Sequence, residues 1–260
     1  MTQRPLALVT GASSGIGAVF ARKLAIRGYD LLLVARDATR LAALQAELAG
    51  SGAGASVVVA DLATDAGLEA TEAVLLTAGR LDLLVNNAGF GTTGTFGDSP
   101  LATQEQMLRL HVLAVSRLTR AALQLMRPAK RGGIITVSSV ASFLTSPGNV
   151  NYCATKTYQR IFSESLATEC ARDGIRVQAL CPGFTHTEFH QRMRFDQKQS
   201  APPFLWLDAD TVVETSLRQF EANGPVVCVP GAQYKVIVFI ARHIPLWIKS
   251  LLTARVYKRG

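Results

Sequence analysis

The chain has 260 residues, 48% of them hydrophobic, with mean hydropathy +0.22, a formal charge of +8 and a pI near 9.6. That length suits one large or two small domains and is ample for a buried core, and no run of 18 or more apolar residues is present to span a bilayer. The positive excess is local: "KVIVFIARHIPLWIKSLLTARVYKRG", residues 235–260, holds six Lys or Arg and no Asp or Glu, which argues against a basic nucleic-acid-binding groove.

In chain order, short apolar runs predict strands at Leu6–Val9, Leu31–Val34, Val57–Ala60, Leu83–Val85, Ile134–Val137, Val177–Leu180 and Val226–Val229. Helical patterns fall between them at 15–28, 37–49, 64–78, 103–127, 151–172 and 209–222. Each strand is nearly continuous in apolar residues, as strands covered on both faces should be. The alternation implies an α/β chain with a parallel, doubly wound sheet in a single domain over residues 1–260. An irregular stretch at about 184–208, containing "QKQSAPPF", is placed where insertions cover a binding site. Cys153, Cys170, Cys181 and Cys228 show no C-x-x-C or metal-ligand spacing and fit a reducing compartment. Glycines break the first apolar run after five residues, so no signal peptide is expected and the chain reads as cytoplasmic.

Three local patterns carry chemistry. After the first strand comes "TGASSGIG", Thr10 to Gly17, where Gly11 allows a tight turn and Gly15 lets backbone N–H groups close on a diphosphate. Gly17 is expected to let the following helix press on the sheet. At the end of the second strand, "LLLVARD" places Arg36 and Asp37, the latter suited to capping the next helix. In "NVNYCATKTYQRIF", Tyr152 and Lys156 stand four apart, on one helix face about a turn from each other. Alone, that pair is equally a tyrosine beside a snorkelling lysine.

The spacing G-x-x-x-G-x-G, "NNAG" (Asn86 to Gly89), "SS" ending at Ser139 and "PGFTHT" (Pro182 to Thr187) accompany Tyr152 and Lys156 in order, each beyond a strand. With Ser139 lying 13 residues before Tyr152, this set resembles the short-chain dehydrogenase/reductase family, strongly over about residues 5 to 187. The resemblance implies a Rossmann fold with a seven-stranded parallel sheet and a nicotinamide cofactor. It implies cofactor contacts at Gly11, Ser13, Ser14, Gly15, Ile16, Gly17, Arg36, Asp61, Leu62, Asn87, Ala88, Gly89, Tyr152, Lys156, Pro182, Gly183, Thr185 and Thr187. Ala35 stands where an acid would select NAD, and Arg36 next to it suits a 2′-phosphate, so NADP(H) is expected. Asp61 reads equally as an adenine contact or a helix cap.

In this family's pattern Tyr152 is the general acid/base, Lys156 together with the positive nicotinamide of the oxidised cofactor lowers its pKa, Lys156 holds the nicotinamide ribose, and Ser139 holds the substrate oxygen. The family's usual asparagine before the fifth strand is His111 here, in "LRLHVLAV". His111 reads either as a relay residue holding a water for Lys156 or as a helix histidine with no catalytic part.

For the substrate, Phe90, Phe143 and Leu144 are expected at the cleft, with Phe184, Phe189, Met193 and Trp206 from the insertion. Such a lining favours a bulky apolar or acyl-chain ketone; the alternative is a lid packed on its own domain. His186 and His190 read as polar handles, and no metal is expected. "LWLDADTVVETSL" and "VPGAQYK" loosely resemble a bacterial subgroup that includes reductases of long β-keto acyl chains such as mycolate precursors. The basic tail suits either an anionic membrane surface or cover for the domain or a partner subunit, and Pro245 should break it. The family implies a homodimer through helices 103–127 and 151–172, with a tetramer as the larger alternative. The expected activity is NADPH-dependent ketone reduction. Its rivals are a broad-range carbonyl or steroid reductase and an NADP(H)-binding regulator without turnover.

Overall fold

The structure, a computed structural model, describes residues 4–92, 94–188 and 202–245. Strands β1 (Leu6–Thr10), β2 (Asp30–Ala35), β3 (Ala55–Val59), β4 (Leu83–Asn86), β5 (Gly132–Val137) and β6 (Ile175–Leu180) are followed by β7 (Thr185–His186), β8 (Leu207–Asp208) and β9 (Val227–Cys228). Seven of them form one parallel sheet in the order β3-β2-β1-β4-β5-β6-β9, a Rossmann arrangement. The reversal of direction at β1 and β4 opens a crevice at the carboxyl ends of the strands, where such sheets take ligands.

Continuous apolar runs become central strands because helices cover both faces. Helices α1 (Gly15–Ile26) and α2 (Ala38–Ala49) pack on one side around Phe20, Leu24, Leu33 and Leu41. Helix α3 (Asp65–Thr77) packs on the other side, around Leu8, Leu68, Leu75 and Leu84. Truncating a side chain as buried as Phe20 to alanine costs about 3–5 kcal/mol. β3 departs from the expected two-sided burial: it is an edge strand, and Val59 is exposed.

The helix expected at 103–127 is three pieces: α4 (Leu101–Leu108), a π-helical turn (Arg109–Leu113) and α5 (Ala114–Ala129). In the π turn the Ala114 N–H donates to the Arg109 carbonyl, five residues back. Helix α6 (Val150–Cys170) carries Tyr152 and Lys156, α7 (Ala209–Glu221) lies against α1, and α8 (Ala232–His243) closes the described chain. α8 ends because Ile244, ahead of Pro245, is driven to an extended conformation. Its Tyr234, Val238 and Ala241 pack on Phe143, Ala179 and Cys181, so this part of the tail covers the domain.

Charge joins α1 to α7. Lys23 meets Asp210 and Glu214, and Arg27 meets Glu214 and Glu221. The Lys23 ammonium, then the Arg218 and Arg27 guanidiniums, hold the Glu214 carboxyl down at about 2. A carboxyl depressed from the usual 4.5 contributes stability above that pH and loses it as pH falls toward 2. With 27% of its side chain exposed, the contribution is screened and of order 1 kcal/mol. Thermal melts by circular dichroism are therefore expected to show a smaller loss of Tm between about pH 5 and pH 2 for Glu214→Gln than for the parent.

Candidate active site

The crevice is a cleft of about 890 Å³, within the size range of sites that bury small ligands. At its base the glycine turn is shaped by sterics. Gly11 has φ +65, and a Cβ there would meet the Asn87 amide nitrogen at 2.8 Å. Gly17, expected to let the helix press on the sheet, sits in the first turn of α1 where it closes on the ends of β1 and β4: a Cβ would fall 2.3 Å from the Gly11 carbonyl and 2.4 Å from Asn87 Nδ2. Gly17 lies beneath the cleft wall, whereas Gly11, Ser13, Ser14, Gly15 and Ile16 line it. Ser14 is the N-cap of α1 but makes no side-chain cap bond, which leaves the first-turn N–H groups to a ligand.

Thr10 holds this turn to the loop after β4. Its hydroxyl donates to the Val85 carbonyl at 3.3 Å and accepts from the N–H groups of Asn87 and Ala88, both at 2.9 Å. Asn87 returns its side-chain amide to the Thr10 carbonyl at 2.8 Å. Asn87, Ala88 and Gly89 thereby form the wall opposite the glycines. Thr10 belongs to the quoted motif, yet its bonding role was legible only once β1 and β4 were seen to be neighbours.

Arg36, Asp61 and Leu62 line the far end of the cleft. Arg36 is 71% exposed, with its guanidinium 3.7 Å from Asp61. Asp37 caps α2 by accepting from the Arg40 N–H. Asp61 is not the cap of α3: Thr64 is, and Asp61 accepts from the Ala63 N–H in the turn before it.

Ser139, Tyr152 and Lys156 converge at the centre. Ser139 leaves the end of β5 extended and hydrogen-bonds the Tyr152 phenol. Lys156, only 4% exposed, donates to the Val137 carbonyl at 2.8 Å and the Gln159 Oε1 at 2.9 Å. Its ammonium lies 5.8 Å from the Tyr152 ring centre. Burial pushes the Tyr152 phenol up to about 12, against the pull of Ser139, and draws Lys156 down to about 7. At Tyr152 lost hydration thus outweighs the Ser139 hydrogen bond, while the lowering expected of Lys156 is that of the ammonium acting together with an oxidised nicotinamide.

His111 is fully buried in the π turn, and both ring nitrogens are engaged by protein. Nε2 accepts from the Phe90 N–H at 3.1 Å, so Nδ1 carries the proton and donates to Thr155 Oγ1 at 2.9 Å. Burial, then the Lys156 charge, hold its pKa well below 6.5. A relay water on this imidazole is therefore not supported; the ring is a structural strut, and the reading of His111 as catalytic is corrected. Its backbone carbonyl, however, accepts from the Gln159 side-chain amide at 3.0 Å. Gln159 was not singled out in the sequence, where it reads as one more polar residue on a helix.

On the substrate side Phe90, Leu144 and Phe184 line the cleft, followed by Pro182, Gly183, Thr185 and Thr187. Phe143 does not: it is turned into the satellite core, with the guanidiniums of Arg160 and Arg242 at 4.6 and 4.9 Å from its ring centre. Trp206 is also absent from the wall and stands behind it, its ring centre 5.4 Å from Phe184 and 4.9 Å from His186. Phe189, Met193 and His190 lie outside the described residues. The β7–β8 pair, unforeseen in the sequence, is fastened by Tyr234. Its hydroxyl accepts from the Phe184 N–H at 2.8 Å and donates to the Leu205 carbonyl at 2.5 Å.

Comparison with known proteins agrees with this fold. The family model described as short chain dehydrogenase matches residues 5–198. A gluconate 5-dehydrogenase of Gluconobacter oxydans (strain 621H) is 33% identical over 237 residues, covering 86% of this chain and 93% of its own. Among solved structures, a short-chain dehydrogenase from Sphingobium yanoikuyae in complex with NADPH superposes with a TM-score of 0.82 at 34% identity, covering 98% of this chain and 95% of that one. A bulky-bulky ketone specific alcohol dehydrogenase from Comamonas testosteroni gives 0.80 at 30%, covering 94% and 96%.

Thr10→Val keeps the shape of Thr10 but leaves the Asn87 and Ala88 N–H groups without their acceptor. Urea unfolding is expected to show a loss of about 1–3 kcal/mol, whereas a peripheral hydroxyl such as Thr215 should cost well under 1 kcal/mol when replaced the same way.

Proposed function

The chain belongs to the short chain dehydrogenase family, and on that premise we propose that it is an NADPH-dependent reductase of bulky apolar or acyl-chain ketones, with Tyr152 as proton donor. The observation that carries the reading is the Ser139–Tyr152 hydrogen bond at the centre of the cleft, with the buried Lys156 ammonium beside it.

The cleft fits the cofactor. Glycines 11 and 15 adopt φ of +65 and +53, and the α1 N-terminus presents N–H groups without a side-chain cap, as a diphosphate needs. Arg36 at the end of β2, with Ala35 before it, suits a 2′-phosphate through a charge-assisted fork. Lys156 and the Asn87–Gly89 wall stand where the nicotinamide half would be held. When bound, NADPH supplies a hydride to a carbonyl carbon. The chain's own part is to receive the charge left on the oxygen. Ser139 Oγ donates to that oxygen and orients it, and Tyr152 Oη gives up its proton to it. A phenol near 12 retains its proton throughout the physiological range, so it is loaded as an acid, and an alkoxide is basic enough to take the proton. Lys156 stabilises the phenolate that remains. The apolar rings of Phe90 and Phe184 favour a bulky ketone over a polyol.

We place the protein as a homodimer, supported by exposed Leu101, Leu108 and Leu113 along α4–α5 and Val150 and Ile161 on α6. No helix among the described residues is long and apolar enough to cross a membrane.

The test is NADPH oxidation with a panel of aryl ketones, steroid ketones and β-keto acyl thioesters. Tyr152→Phe should lose about 10²- to 10⁴-fold in kcat while NADPH still binds by calorimetry. A parent that binds NADPH but reduces none of the panel would overturn the proposal in favour of a binder. Arg36→Ala should lower kcat/KM with NADPH by about tenfold or more and leave the NADH value within about threefold; equal losses for both cofactors would refute the 2′-phosphate assignment.

A further inference from the structure

We propose that Gln159 is a positioning residue for Lys156, its side-chain amide tying the ammonium to the His111 carbonyl in the π turn. The inference rests on the reductase reading for its catalytic consequence, though not for its structural core. Gln159 is 1% exposed and stands three residues beyond Lys156 on α6. Its Oε1 accepts from Lys156 Nζ at 2.9 Å, and its Nε2 donates to the His111 carbonyl at 3.0 Å. One amide thus reads both sites with the polarity each requires, because an ammonium only donates and a carbonyl only accepts.

The far end of this bridge is itself immobilised. The π turn widens the helix, with the Ala114 N–H donating five residues back to Arg109. The His111 ring is pinned by the Phe90 N–H and Thr155. Together with the Val137 carbonyl at 2.8 Å, Gln159 takes two of the three ammonium N–H groups and so fixes the direction of the third.

The charge on Lys156 depends on these acceptors. The titratable groups that face it are Tyr152 on α6, Cys181 at the end of β6 and His111 in the π turn. All three are neutral near pH 7: burial pushes Tyr152 to about 12 and Cys181 to about 11, and holds His111 well below 6.5. Among the described residues no carboxylate contributes, and burial already draws Lys156 down to about 7. Removing a carbonyl dipole from the ammonium favours the neutral amine further. A carboxylate in the same place would do the reverse.

The experiment uses the full chain with ¹³Cε-labelled lysine and follows the Lys156 resonance through a pH titration by NMR, Lys156→Arg identifying the signal. Gln159→Met keeps the volume and removes both hydrogen bonds; its Lys156 midpoint is expected to move acidward by about one pH unit or more. Gln159→Glu places a charge on the ammonium, and the midpoint is expected to move alkaline by about one pH unit or more. The alkaline limb of kcat for ketone reduction should follow each shift, so that Gln159→Met loses about tenfold at pH 8 and regains it at lower pH. A helix residue with a packing role alone would change Tm without moving the titration. A Lys156 midpoint within about 0.3 of the parent's in either folded variant overturns the proposal, the glutamate deciding if the methionine variant does not fold. A parent with no ketone turnover would sink the reductase reading, while the NMR titration would still decide the role of Gln159.

Discussion

An ammonium kept away from water, with no carboxylate partner among the described residues, is the constraint around which the cleft is organised. Lys156 is held by a backbone carbonyl at the end of β5 and a neutral amide one turn along its own helix. Isolated charges are expensive to bury, and neutral dipoles offset that cost only when they are fixed. Each acceptor is therefore itself immobilised. Val137 is locked in the sheet by its pairing with β6, and the following Ser138 donates its hydroxyl to the Lys156 carbonyl at 2.7 Å. Gln159 is locked by the π turn. The turn, the buried His111 and the Phe90 loop can all be understood as the rigid surroundings this one charge requires.

The same constraint accounts for the division between rigid and adaptable parts of the cleft. The glycine turn and the wall after β4 are sewn together by backbone groups through Thr10 and Asn87, so their shape depends on few side chains. A surface built that way suits a ligand part that does not vary, such as a diphosphate and its riboses. Opposite it, the described part of the segment after β6 is held by the Tyr234 phenol, by the Leu207 N–H on the Phe184 carbonyl, by the Arg40–Glu188 ion pair and by rings packed behind Phe184. Such a wall can change its outline by substitution without disturbing the lysine.

The sequence made the sheet legible because buried parallel strands leave continuous apolar runs, and all seven lie within about two residues of their expected places, six of them longer than expected and β9 shorter. The site was legible where function demands a residue type at a fixed spacing: Gly11, Gly15, Arg36, and the Ser139, Tyr152 and Lys156 set all line one cleft, with Gly17 beneath it. Illegible were features that depend on who lies across the fold. Phe143 reads as a cleft aromatic, yet Arg160 and Arg242 draw its ring inward, and only the docking of α8 brings Arg242 there. The two-residue strands β7 and β8 are too short to leave a pattern. Gln159 is indistinguishable from a solvated helix residue until the π turn is found beside it.

The electrostatic picture adds the cost of burial to the inference from spacing. A lysine one turn from a tyrosine suggests a depressed phenol, but proximity counts only against the hydration both groups lose. Here burial separates the two in the opposite sense, Tyr152 to about 12 and Lys156 to about 7. Two groups whose affinities for protons are driven apart this way divide the labour of acid chemistry: one keeps its proton until a stronger base arrives, and the other sits near the point where its charge can be tuned. The protein holds the second close to that point with neutral acceptors only, so small changes in their geometry become large changes in its charge. That sensitivity makes the two acceptors of Lys156, the Val137 carbonyl and the Gln159 amide, the bonds on which the charge at the centre of the cleft most directly depends.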